Sequence, residues 1–318
     1  MLVQLDQLYL FHQRALAWID AHLESFSPLT GGRAGCSVTI YQTKALGELA
    51  LLCMLSSRAT RDGPEPTIEL FLRFIHTIWQ HPQFQERIYR QPAYFYLHLM
   101  LYVVLRQYHL IDASTQEMIQ CVIDQGYVTA VETTPMRLLD RRHMLDAGQF
   151  QHTLPSYEQL YAQTLLAQTP PPFYYSDTDA YAITHTLFYL TDFGARSTPA
   201  LAGEHLANVH WTIETLLGLY LYRQHWDLVG ELLLDCYCLH WYPDVLVPIA
   251  WETVWNAQLP DGSIPGPRFS EAKLEQLESE QRKQYCFEQN YHTTLVQAIT
   301  SFLIYHHLKD DAQHKQEQ

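Results

Sequence analysis

No uninterrupted apolar run in the sequence approaches the roughly 20 residues of a membrane-spanning helix, so no membrane span is expected. Basic residues are scarce: 20 Lys and Arg face 34 Asp and Glu, a formal charge of −14. That balance argues against nucleic acid or an anionic membrane surface as a partner. The 17 His add positive charge only at mildly acidic pH. Six Cys, at positions 36, 53, 121, 236, 238 and 286, do not form a disulfide-scaffold pattern in 318 residues. Most lie in apolar helical runs, so reduced, buried thiols and a cytoplasmic location are expected. Met1-Leu2-Val3-Gln4-Leu5-Asp6 lacks the basic region and cleavage site of a secretory leader, and none is expected. Missing too are a glycine-rich phosphate loop, a Gly-x-Ser-x-Gly turn and a His-Glu-x-x-His pattern, and with them goes support for the common nucleotide, hydrolase and metalloprotease readings. Period-two alternation never lasts more than a few residues, which leaves no half-buried strand.

What is present is helical and aromatic. Hydrophobic residues make up 47% of the chain, ample for a core, and 7 Trp, 21 Tyr and 13 Phe suit thick helix packing or a cavity for an apolar or carbocationic ligand. Apolar spacing predicts helices over 2–25, 38–57, 67–80, 92–109, 113–125, 155–168, 177–192, 200–223, 226–241, 246–258, 270–284 and 291–308. Residues 128–150 are ambiguous, with Pro135 a plausible helix start. Loops are marked by Asp62-Gly63-Pro64-Glu65-Pro66 and by Leu259-Pro260-Asp261-Gly262-Ser263-Ile264-Pro265-Gly266-Pro267. Amphipathic helices alternate with helices apolar nearly all round whose N-terminal ends carry Tyr41, Tyr94, Tyr181 or Tyr291. The expectation is an all-α fold, an alpha/alpha toroid (incomplete or a single barrel) of about twelve helices in two concentric rings, in one domain over 1–309 with a polar tail at 310–318. A straight solenoid would give a similar list but should show a more regular repeat.

The stretch from Ser176 to Leu190 stands out. It opens on Ser176, Asp177 and Asp179, good N-cap and first-turn residues, then turns apolar on all sides and should run through the protein's interior. Asp177, Tyr181 and His185 fall four residues apart on one face. A buried face bearing a carboxylate, a phenol and an imidazole is the leading functional-site candidate. Arg137, Arg141 and Arg142 suit an oxyanion but lie beside Asp140 and Asp146, which favours ion pairs. Lys44 and Glu48, four apart in an apolar helix, form either a buried pair or an ordinary helical salt bridge.

Three motifs resemble one superfamily, the alpha/alpha toroids of class II terpenoid cyclases and protein prenyltransferase beta subunits. Gln258-Leu259-Pro260-Asp261-Gly262-Ser263-Ile264 resembles the cyclases' Gln-x-x-Asp-Gly-Ser-Trp repeat, with Ile264 in place of Trp and a single copy; by its own chemistry it reads as a structural turn. Asp177-Thr178-Asp179-Ala180 is similar to the cyclases' Asp-x-Asp-Asp acid motif but has Ala180 at the last position. That resemblance implies Asp179 as proton donor; the residues alone read as helix capping. Tyr291-His292-Thr293 is similar to the segment holding the zinc histidine of prenyltransferase beta subunits. Asp235, Cys236 and Cys238 would be the nearest further ligands, off the family spacing. On a helix the two thiols point about 200° apart, which favours buried thiols over zinc. No metal and no cofactor is assigned.

The leading expectation is therefore an enzyme of secondary metabolism acting on an apolar small molecule, isoprenoids included, in an aromatic central cavity. Asp177 or Asp179 would be its general acid, His185 and His292 would tune or relay the proton, and Tyr41, Tyr94, His98, Tyr181 and Tyr291 would line the substrate. A carbohydrate- or peptide-processing toroid and a binding or scaffold protein without chemistry remain alternatives.

Overall fold

The structure is a computed structural model that describes residues 4–29, 40–59, 63–82, 84–85 and 95–316. Among the described residues every regular element is helical and none is long and apolar enough to cross a membrane. The α-helices are α1 Leu5–Ala21, α2 Ile40–Ala59, α3 Pro66–Gln80, α4 Phe95–Gln107, α5 Ala113–Asp124, α6 Tyr127–Ala130, α7 Pro135–Ala147, α8 Tyr157–Tyr161, α9 Leu165–Gln168, α10 Asp177–Leu190, α11 Gly203–Tyr222, α12 Trp226–Cys238, α13 Leu246–Ala257, α14 Glu271–Glu275 and α15 Ser279–Gln316.

Several differ from the sequence expectation for identifiable reasons. The single helix expected over 155–168 is two, because Ser156 caps α8 in a reciprocal box with Gln159 and Thr164 caps α9. The helices expected at 270–284 and 291–308 are instead a short α14 and one 38-residue α15, which contains neither Gly nor Pro to interrupt it. α15 also runs through most of the stretch expected to be a polar tail.

Backbone contacts divide the chain into two compact units, residues 113–253 and residues 3–112 with 254–318. In the second unit α15 packs along α1 and α2, and α2 packs on α4 and α3. Its core includes Phe11, Trp18, Phe26, Phe71 and Phe302, all fully buried. The Gln258–Ile264 segment is a clamp in this unit. Gln258 Nε2 donates to the carbonyls of Phe11 (3.1 Å) and Gly262 (3.0 Å), and Asp261 Oδ1 accepts from the Ser263 amide and hydroxyl. The motif's side chains are thus committed to holding a turn.

His12 lies in the same core, 2% exposed, with Nδ1–H donating to the Ala298 carbonyl at 3.0 Å. Burial pushes its pKa down to about 4. A folded value below the ordinary 6.5 means that its contribution is complete above pH 6.5 and is lost as pH falls toward 4. The loss is up to about 3 kcal/mol. Thermal melts at pH 7 and pH 4.5 should show a larger drop for the wild type than for His12→Gln; equal drops would refute the assignment.

In the first unit α10 packs between α7 and α12, and α12 also packs on α11. From Ile183 to Leu190 every residue of α10 except His185 is buried, as its apolar circumference predicts. α12 is buried from Asp227 to Cys236 without a break, although the sequence reading had not counted it among the fully apolar helices. Its start is set by His225, whose Nδ1 accepts from the Leu228 amide at 3.3 Å.

Candidate functional site

The start of α10 is a capping box. Ser176 Oγ accepts from the Asp179 amide, while Asp179 Oδ2 accepts from the Ser176 amide (2.9 Å) and hydroxyl (2.7 Å). Asp179 is thereby engaged in ordering the helix. Ser176→Ala should lower stability by about 0.5–2 kcal/mol, visible as a fall in melting temperature.

One turn on, the Asp177–Tyr181–His185 face meets acids of α12. Asp177 Oδ1 accepts from the Tyr220 hydroxyl at 2.9 Å and lies 3.5 Å from Arg223 Nη1. The Tyr181 hydroxyl donates to Asp227 Oδ2. Burial, then the Asp227 carboxylate, raises the phenol's pKa far above its usual range, so Tyr181 stays a donor. Thr184 donates its hydroxyl to Glu231 Oε2, and the same carboxylate oxygen lies 3.5 Å from His185 Nδ1.

His185 Nδ1 also lies 2.7 Å from the Tyr181 carbonyl, which can only accept. The hydrogen of the neutral ring therefore sits on Nδ1, and Nε2 carries a lone pair. The His185 side chain is 22% exposed and Glu231 only 2%. The arrangement sets a partly exposed imidazole beside a buried carboxylate, the two groups that general acid–base chemistry uses. Aromatic rings surround it: Phe188, Tyr189 and Tyr181 have centroids 5.5, 6.1 and 6.4 Å from the imidazole.

Asp227, Glu231 and Asp235 lie at four-residue spacing on α12, so they share one face, and all are at most 2% exposed. Tyr189 continues the α10 side of the seam: burial, then the Asp140 carboxylate on α7, pushes its phenol pKa up. The sequence reading missed Asp227 and Glu231. The signal was three acids four apart in an otherwise apolar run, and it points to a site only once α12 is known to pack on α10.

The other expected residues fall elsewhere. His292 belongs to the second unit, where Nδ1 lies 2.9 Å from Glu48 Oε2 and Lys44 lies 3.3 Å from Glu48 Oε1. Burial alone would raise the Glu48 pKa, but His292 and then Lys44 outweigh it and hold it below its ordinary value. The pair Lys44–Glu48 is thus a helical salt bridge extended by an imidazole. Tyr291 is buried against Phe287 and Phe26, and His98 is buried with Nε2–H donating to the Phe84 carbonyl at 2.9 Å. Both are core residues. Tyr94 and the Tyr41 side chain lie outside the described residues.

Cys236 and Cys238 are buried, and burial together with Asp235 raises both thiols' pKa, which keeps them protonated. Among the described residues no group of three or more His, Cys, Asp or Glu is placed to hold a metal ion, so none is identified as a metal ligand. The arginines of α7 are occupied: Arg137 pairs with Asp140, Arg142 with Asp146, and Arg141 donates to the Val128 carbonyl. A cleft of about 380 Å3 in the first unit is lined by Asp124, Thr129, Gln151 and His152 among others.

The chain belongs to the family described as a domain of unknown function, DUF6895, whose model matches residues 12–302. No curated protein and no solved structure matches it.

Proposed function

We propose that the protein is an enzyme of secondary metabolism that performs acid–base chemistry on an apolar small molecule, isoprenoids included, at the α10–α12 seam. One observation carries this reading: a solvent-reachable His185 whose Nδ1 tautomer is fixed by a backbone carbonyl and whose inner side faces the buried Glu231. Burying a carboxylate such as Glu231 is costly, and working sites are where such a cost is commonly carried. His185 Nε2 takes up or returns the proton, and Glu231 stabilises the ring while it is charged. Asp177, with Arg223, holds the polar end of the ligand. Tyr181, fixed by Asp227, and the Phe188 and Tyr189 rings supply faces that favour an apolar or cationic intermediate.

The fold that accompanies this reading is the alpha/alpha toroid. Its support is the coexistence of helices buried all round, such as α10 and α12, with amphipathic ones such as α3, whose buried face is Ile68, Phe71, Leu72, Ile75 and Ile78. Incubation of the purified chain with prenyl diphosphates and with squalene-like polyenes, followed by mass spectrometry, tests the activity. A new product supports the reading, and return of every substrate unchanged counts against it.

A further inference from the structure

Asp235 is the innermost acid of the α12 row, 0% exposed, and among the described residues neither of its carboxylate oxygens has a hydrogen-bond partner. One turn before it stands Glu231, also buried, which accepts from Thr184 and lies near His185. The titratable groups on the two elements packed most closely against α12 are Asp177, Asp179, Tyr181, His185 and Tyr189 on α10 and Glu204, His205, His210, Glu214, Tyr220 and Tyr222 on α11, with Asp192 just beyond α10. Asp140 and Arg137 on α7 face Tyr189, and Arg223 faces Asp177. Two carboxylates one helical turn apart in a low-dielectric interior cannot both hold a negative charge without a cation between them, so one keeps its proton. Glu231 has a hydroxyl donor and an imidazole that favour its ionised form; Asp235 has neither.

We propose that Asp235 is a carboxylic acid in the folded protein, kept protonated by its burial beside Glu231, so that the two side chains together set a single negative charge behind His185. Asp235 is then a positioning residue. It touches no ligand, but its proton fixes Glu231 as the charged partner of the imidazole. This role depends on the acid–base reading of His185, whereas the protonation itself does not. Burial and then the Glu231 charge both push the Asp235 pKa well above the ordinary carboxylate range, in agreement with the geometry.

Infrared spectroscopy of the full chain in heavy water at neutral pH reads the protonation directly. The expected result is the carbonyl stretch of a protonated carboxylic acid, lost in Asp235→Asn and retained in the exposed-site variant Glu280→Gln. Asn replaces a neutral carboxyl by a neutral amide of the same shape, so that variant should fold and melt as the wild type does. Absence of the band from the wild type overturns the proposal whatever the variants do, as does its survival in a folded Asp235→Asn. Should Asp235→Asn fail to fold, Glu231→Gln decides. Removing the neighbouring charge should move the band's disappearance to lower pH, and an unmoved titration contradicts the coupling of Asp235 to Glu231. The band present without any product from isoprenoid incubation would retain the proton site and reject the enzyme reading alone.

Discussion

His185→Asn is expected to reduce turnover of the proposed reaction by about 10²–10⁴-fold, the usual contribution of a positioned general acid or base. Asn keeps a polar N–H that can donate to the Tyr181 carbonyl, which His185 Nδ1 reaches at 2.7 Å. It has no nitrogen that binds a proton near neutral pH. Because Asn can keep the hydrogen bond to the Tyr181 carbonyl, the melting temperature should fall only modestly. Rate and melting curve together are the check. A tenfold or smaller loss of rate would mean that the imidazole is not the proton carrier, and a collapsed melting curve would mean that it serves the fold.

Gly262→Ala is expected to destabilise the unit formed by residues 3–112 and 254–318 by roughly 3–5 kcal/mol, near the top of the range for single substitutions. Two effects combine. Gly262 has φ +95°, a conformation that L side chains rarely adopt. A Cβ there would also stand 2.3 Å from the Arg14 carbonyl oxygen, a backbone atom of α1 that cannot swing aside. The turn is further tied to α1 by Arg14 Nη2 donating to the Leu259 carbonyl at 2.8 Å, so relieving the clash breaks those bonds. Chemical denaturation measures the loss, and a midpoint shift equivalent to less than about 1 kcal/mol would refute the strained-turn account.

The helices were legible wherever burial could be inferred from residue type alone. α10 is the clear case: after Asp179 it holds no charged residue, its cap pattern is local, and the structure buries it as its circumference demands. Asp177, Tyr181 and His185 lie on one face because helical spacing requires it. Their partners were illegible. Asp227 and Glu231 lie 46 residues from Tyr181 and His185, and which helix packs on which is a tertiary matter. In α12 the sequence offers Asp235, Cys236 and Cys238 as further zinc ligands, whereas the physically telling interval is the four residues from Glu231 to Asp235. The Glu48–His292 contact is 244 residues apart in sequence and has no local signature. The merger of two expected helices into α15 was missed because a change from charged to apolar composition was read as a boundary, although no helix-breaking residue lies there.

The most direct test of the central claim is carbethoxylation of His185 by diethyl pyrocarbonate, read by peptide mass spectrometry with and without a squalene-like polyene. The proposed role of the partly exposed His185 as the base of a ligand-binding seam predicts that it is labelled in the free protein and protected by the ligand, while exposed histidines such as His81 and His109 are labelled equally in both. Labelling of His185 that the polyene leaves unchanged, at concentrations that saturate any binding, would contradict the account.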